Sequence, residues 1–383
     1  MFPPVITLLA TLLLAAQDSQ PTSATPYTLY VASESADLVT RIEVGPGGWR
    51  KVREIPVGIL PTDPDGPHHV AVAPDGRAWY VSIAHGTPWG SVWKYATGAD
   101  SLLGRVRVGM FPTTVGLSPD GEWAFIPNSD FHGDRGRQNS ISVLYTPELR
   151  QVTEIPICDM PHGSRVSHSG TVVYIACMMS DELVLLDPSV FAVTRRVALG
   201  SGHPMSAAEH ARMEARSDTV QPKRAPGAAS STLPGQNPDC LATYVSVSPD
   251  DRLVYLACNH SNEVQVRDAT TLVLVRRLPT GNGAYNVEPS PDGRWVMVTN
   301  KKAQSVSVFD TRGWTEAARI PTTKRIPHGI AFSPDGRYAF VSQESAGNDP
   351  GAVDAIDLAT LKRVASLSLP LQPTGIAVWS GKR

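Results

Sequence analysis

Short apolar runs alternate with turn-forming residues along most of the chain, and the alternation repeats. "GPHHVAVAPDGRAWYVSI" (66–83), "FPTTVGLSPDGEWAFIPN" (111–128), "AYNVEPSPDGRWVMVTN" (284–300) and "IPHGIAFSPDGRYAFVSQ" (326–343) are variants of one phrase. Each sets an apolar strand, a Pro-Asp-Gly turn and a second apolar strand in succession, the pattern of a tight β-hairpin. The turns fall at 73–76, 118–121, 167–170 ("SHSG"), 248–251 ("SPDD"), 290–293 and 333–336. A third strand follows, such as "LVLLD" (183–187), "VQVRD" (264–268), "VSVFD" (306–310) or "VDAID" (353–357). After its Asp turn comes a fourth, as in "VTRRVALG" (193–200) or "VLVRRLPTG" (273–281).

Four antiparallel strands, here named A to D, recurring about every 42–49 residues make one blade of a propeller. Six complete units start near Pro67, Pro112, Pro161, Ala242, Ala284 and Pro327. The N-terminal segment from "YTLYVAS" supplies strands B, C and D without an A, and "PTGIAVW" (373–379) supplies an A with nothing after it. Joined, they form a seventh blade that closes the ring and removes its open sheet edges. The expectation is an all-β, seven-bladed β-propeller over 27–383, with an insertion at 201–240 between two blades.

"YVAS" (30–33), "YIAC" (174–177), "YLAC" (255–258) and "MVTN" (297–300), the last preceded by "SPDG", resemble the repeats of YVTN-type, YncE-like propellers. The similarity runs over 27–380 and extends more distantly to the propellers of nitrous-oxide reductase and cytochrome cd1. The resemblance implies export and a scaffold, and one scaffold hosts many functions.

Composition narrows the classes further. Charged residues are 18% of the chain and the net charge is −2, so no basic footprint for nucleic acid is present. The N-terminus carries an apolar run from Val5 to Ala16 that ends in small residues, although it lacks the usual Lys or Arg before it. This reads as a signal peptide (1–16) followed by a linker (17–26), hence a periplasmic or secreted protein with no membrane span after cleavage. A retained anchor is the alternative.

Chain direction places the A–B and C–D turns on one face and the B–C and D–A connections on the other. That second face holds every long loop: 84–91, 129–140, 344–352 and the 201–240 insertion. Loops enlarged on one end of a rigid scaffold point to binding there, of a protein partner or a small-molecule ligand. Within the insertion, Ser206 and Glu209 form a capping box for a short helix reaching about Arg216.

Only four cysteines occur, and Cys158 with Cys177, and Cys240 with Cys258, bracket successive A–B hairpins. In an exported protein this spacing predicts two disulfides. A soft-metal site is the alternative, because "CDMPHG" (158–163), "CMM" (177–179) and "GHPMSAAEHARM" (202–213) gather Cys, Met and His.

The residue at the second position of strand A is polar in every blade: His68, Thr113, His162, Thr243, Tyr285, His328 and Thr374. Strand A lines the channel, so these seven form a ring at its loop-side mouth. Its three histidines are spaced almost evenly around the axis, suited to an anionic ligand or a metal. The bland alternative is that these residues hydrate a water-filled channel or cap strand ends. If the histidines form one site, replacing any of them by Ala should weaken a ligand while costing under about 1 kcal/mol of stability. The "PHG" element is similar to one in propeller lyases and lactonases, where a His near the channel mouth takes part in catalysis. No nucleophile elbow, P-loop, dinucleotide fingerprint, H-E-x-x-H or C-x-x-C-H occurs, so no catalytic residue and no cofactor is assigned. The sequence therefore favours a binding protein. A metal-dependent lactonase- or lyase-like enzyme, or an accessory subunit of an extracytoplasmic redox complex, is the alternative.

Overall fold

Seven four-stranded antiparallel sheets are arranged as the blades of a closed propeller. The computed structural model describes residues 20–59, 64–86, 89–130, 139–200 and 240–381. The expected signal peptide and the 201–239 part of the insertion, with its capping-box helix, lie outside these residues. The expected linker is docked at its far end, where the Ser23 N–H donates to the Gly45 carbonyl at 3.1 Å. Among the described residues the only helical turn is the 3₁₀ segment Glu34–Ala36.

Blade I joins the chain ends: strand A is Pro373–Trp379, and it pairs with Tyr27–Ser33 from Thr28↔Trp379 to Ser33↔Pro373. Strands A of blades II to VII are Pro67–Val72, Gly116–Leu117, Pro161–Val166, Ala242–Val247, Ala284–Pro289 and Pro327–Phe332. Burial grades outward along each blade. Strand B of blade VII, Tyr338–Gln343, is wholly buried, whereas strand D of blade VI, Thr315–Pro321, is mostly exposed. The core is therefore the set of layers between neighbouring sheets, as where Leu29 and Val31 of blade I join Phe340 and Val353 of blade VII.

The hairpin turns form as the sequence predicts. In all six, the fourth residue donates its N–H to the carbonyl of the first, for example Gly336 to Ser333 at 2.9 Å. That fourth residue has positive φ (68° at Gly336), which explains the recurrent glycine; Asp251 alone departs, at 57°.

Blade III differs from expectation. Its strand A is reduced to Gly116–Leu117 plus an isolated Pro112↔Asn128 bridge. The same break exists in milder form elsewhere: A–B pairing steps from Pro67↔Ile83 to His69↔Ser82, and from Ala242↔Cys258 to Tyr244↔Ala257. The residue skipped is the ring position. A β-bulge there releases the residue from the ladder and re-aims its side chain.

Both disulfides pair as the sequence predicts, Cys158 with Cys177 and Cys240 with Cys258, with Cα–Cα separations of 6.0 and 4.4 Å. All four sulfurs are thereby consumed, which removes the thiolates that a soft-metal site would need.

Two outcomes test this architecture. Deleting residues 371–383 strips strand A from blade I, and the protein should lose solubility or monodispersity in size-exclusion chromatography; unchanged melting would refute ring closure. Denatured, unreduced protein should show no titratable thiol, and peptide mapping should return the two short-range links. Reduction should cost about 2–4 kcal/mol per bridge in denaturant titrations.

Candidate functional site

The seven ring residues reach the axis, but they are buried rather than lining an open mouth: all are between 0% and 8% exposed. The bulges turn them inward, and the residue before each strand A is also held at positive φ, as in Phe111 (50°), Met160 (57°) and Ile326 (56°). A β-branched residue there is unusual, and local strain of this kind clusters at functional sites.

The three threonines do one job. Thr113 Oγ1 donates to the His162 carbonyl at 2.6 Å, Thr243 Oγ1 to the Tyr285 carbonyl at 2.5 Å, and Thr374 Oγ1 to the Pro67 carbonyl at 3.3 Å. Each hydroxyl is committed to the next blade's backbone. The histidines and the tyrosine instead form an aromatic cluster on the axis. His68 lies 5.7 Å from His162 and 5.4 Å from His328, between ring centroids, and Tyr285 lies 4.7 Å from His328.

Their protonation follows from their partners. His162 Nδ1–H donates to the Thr243 carbonyl at 2.9 Å, which leaves Nε2 to accept from the Tyr285 hydroxyl at 3.1 Å. Burial, reinforced by His68, holds the His162 imidazole neutral, with its pKa lowered to about 3. Burial and the nearby Lys301 ammonium also push His328 well below the ordinary imidazole value.

His68 is oriented by a residue that the ring pattern does not contain. Glu34, buried, accepts from His68 Nδ1 at 2.8 Å and lies 2.7 Å from His85 Nε2. Burial alone would raise this carboxyl, but the two imidazoles outweigh it and bring its pKa down to about 2. On the opposite side Lys301 Nζ sits 3.5 Å from the centroid of the Tyr285 ring and bonds Glu344 Oε1 at 2.6 Å. Glu344 in turn lies 3.9 Å from His328 Nε2.

Glu34, Lys301 and Glu344 share one address, the first residue after strand B. In every blade that residue donates its N–H to the carbonyl preceding strand A, as Glu34 does to Gln372 at 2.9 Å and Lys301 to Gly283 at 2.8 Å. Seven such positions form a second ring on the loop side of the histidines. Reading the residue after "YVAS", "MVTN" and "FVSQ" would have found all three charges.

His68 Nε2 and both nitrogens of His328 are buried and make no hydrogen bond within the protein. Buried polar atoms are ordinarily satisfied, and leaving one unpaired costs about 1–3 kcal/mol. No three His, Cys, Asp or Glu side chains among the described residues come together as a metal-holding set. What these nitrogens offer as they stand is hydrogen bonding to a ligand on the axis.

The expectation of small stability effects at the ring needs correction. Removing His68 would leave the buried Glu34 carboxylate with half its partners, and removing His162 opens an inter-blade bond. Each should cost about 2 kcal/mol or more.

Acid should destabilise the protein in a defined window. His162 and His328 stay neutral in the fold but protonate in the unfolded chain below about pH 6.5. Their contribution is thus complete above that pH and is lost as pH falls toward their folded values, each by up to about 1.4 kcal/mol per pH unit. Glu34 adds stability present above about pH 4.5 and lost toward pH 2. Urea titrations from pH 7.5 to 4 should show this slope, and His328→Leu should make it shallower.

A family model described as "Lactonase, 7-bladed beta-propeller" matches residues 244–349, from blade V to blade VII. No curated protein matches the chain. Among solved structures, Kuenenia stuttgartiensis hydrazine synthase is similar with TM-score 0.60 and 18% identity, over 83% of this chain and 91% of that one. Dihydro-heme d1 dehydrogenase NirN in complex with DHE gives 0.59 and 18%, over 96% and 79%. A candidate 6-phosphogluconolactonase from Bacteroides fragilis gives 0.66 and 16%, over 94% and 99%. At these identities the likeness speaks for the fold, and the chain is a seven-bladed β-propeller, of which residues 244–349 resemble that family model.

Proposed function

We propose that this protein binds a small, hydroxyl-bearing ligand on the propeller axis, at the end that carries the long loops. One observation supports this above the rest: His328, 1% exposed, has both ring nitrogens unpaired beside the unpaired Nε2 of His68. With Nδ1 engaged by Glu34, His68 leaves Nε2 for a hydrogen bond with the ligand. A neutral His328 presents one donor and one acceptor. Lys301 and Glu344 add charge at the loop-side edge. A compact molecule that both donates and accepts, such as a sugar or a sugar lactone, matches this set. A protein partner covering the loops is the competing occupant.

The lactonase-family match favours a second reading, hydrolysis of a lactone at the same place. Glu34 would orient His68, and His68 Nε2 would take a proton from the attacking water. YncE-like membership and export to a periplasmic or secreted location accompany both readings. Two disulfides suit such a compartment.

Thermal-shift and calorimetric titration with glucose, gluconate and glucono-δ-lactone should identify a binder in this class. His328→Leu should lose at least tenfold in affinity while melting at the same or a higher temperature, because it removes an unsatisfied buried group. Unchanged affinity in that variant overturns the assignment. If the lactone is hydrolysed, proton release in weak buffer should fall on the order of 100-fold in Glu34→Gln, with binding of gluconate retained.

A further inference from the structure

A cavity of about 470 Å³ occupies the other half of the channel, toward the A–B turns. Pro74 and Pro291 of those turns line it, as does Tyr244, whose ring also packs 5.2 Å from His162. Tyr244, packed against the axial aromatic cluster, therefore closes its floor, and the short-turn face is its rim. Its volume falls within the range of about 300–1,000 Å³ typical of small-molecule sites.

The register of strand A divides this cavity into two unlike walls. At the fifth strand position, blades IV, V and VI carry Arg165, Ser246 and Glu288, whereas blades VII, I and II carry Ala331, Ala377 and Ala71. The polar wall is prearranged. Arg165 Nη2 pairs with Glu288 Oε1, and Ser246 Oγ donates to Glu288 Oε2 at 2.9 Å, which fixes the carboxylate in place. Arg165 spends one N–H on this pair. Its Nε is buried and makes no hydrogen bond, as does the neighbouring Asn286 Oδ1. The Arg165 side chain is 40% exposed, so the guanidinium keeps a face toward the channel. Opposite it the lining is mostly apolar, with Phe332 and Val378 beside the alanines and His69 of blade II as the polar exception.

From this arrangement we infer that the turn-side cavity is a second ligand site, for a small monocarboxylate with an apolar body, bound through the free edge of Arg165. The guanidinium fork is the group that matches a carboxylate in plane, and the apolar wall takes the remainder of the molecule. Glu288 does not bar a second carboxyl group. Burial pushes its pKa up, which eases the approach of another carboxylate to the same arginine. This site is separate from the axial histidines and stands or falls independently of them.

Calorimetric titration of the full chain with benzoate, and with its neutral isostere benzamide, tests the inference. Benzoate should bind at least tenfold more tightly than benzamide, and His328→Leu should leave benzoate affinity unchanged. Arg165→Gln strands Glu288, so the double change Arg165→Gln/Glu288→Gln keeps the wall neutral and should lose benzoate at least tenfold. Ala331→Phe fills the cavity from its apolar side without touching the ion pair, and should weaken benzoate by a similar factor. Equal affinity for acid and amide, benzoate binding that survives the double change, or no benzoate binding at millimolar concentration would each overturn it.

Discussion

The ring holds because every junction between blades is fastened beside the axis by a side chain that donates to the next blade's backbone. Ser82 donates to the Thr113 carbonyl, Thr113 to His162, His162 Nδ1 to Thr243, and Thr243 to Tyr285. Thr299 then donates to the His328 carbonyl, Ser342 to Thr374, and Thr374 to Pro67, which completes the circuit. The acceptors exist because the bulge at the start of each strand A frees that stretch from the hairpin ladder. One local distortion thus supplies both the closure of the ring and an inward-facing side chain from each blade.

That dual role separates residues that fasten from residues that project to the axis at equivalent positions. A threonine fits the fastening: it is short, and its hydroxyl reaches one carbonyl. A histidine is too long to stop there and projects to the axis. At His162 the two roles coincide, since Nδ1 fastens blades IV and V while Nε2 meets Tyr285. His68 takes its orientation from Glu34 instead. His328 is released from both duties, because Ser342 fastens the seam from its blade to the next. The imidazole with both nitrogens unpaired is therefore the one that the scaffold does not need.

Below the cluster, the channel shows how broken symmetry makes a site. Seven copies of one strand would give seven like walls, and the alanines at 71, 331 and 377 keep to that pattern. Arg165, Ser246 and Glu288 depart from it on adjacent blades, so the charges of the first and third can meet across the second.

Much of this was legible in the chain itself. The repeated Pro-Asp-Gly hairpins, the unmatched strands at the two ends and the paired cysteines determined the blade count, the closing blade and both disulfides, because each rests on local turn chemistry or on spacing within one hairpin. The histidine ring was also visible, since equivalent positions in a repeat must share a radius. What the sequence could not say is which way those residues are used. Burial of the ring, the fastening role of the threonines and the pairing of Glu34 with His68 depend on bulges and on the approach of neighbouring blades. Glu34 and His68 lie on different blades, and Arg165 and Glu288 are 123 residues apart in sequence. Contacts of that kind are made only when the ring closes, so tertiary structure alone decided where the charges balance and which nitrogen is left unpaired.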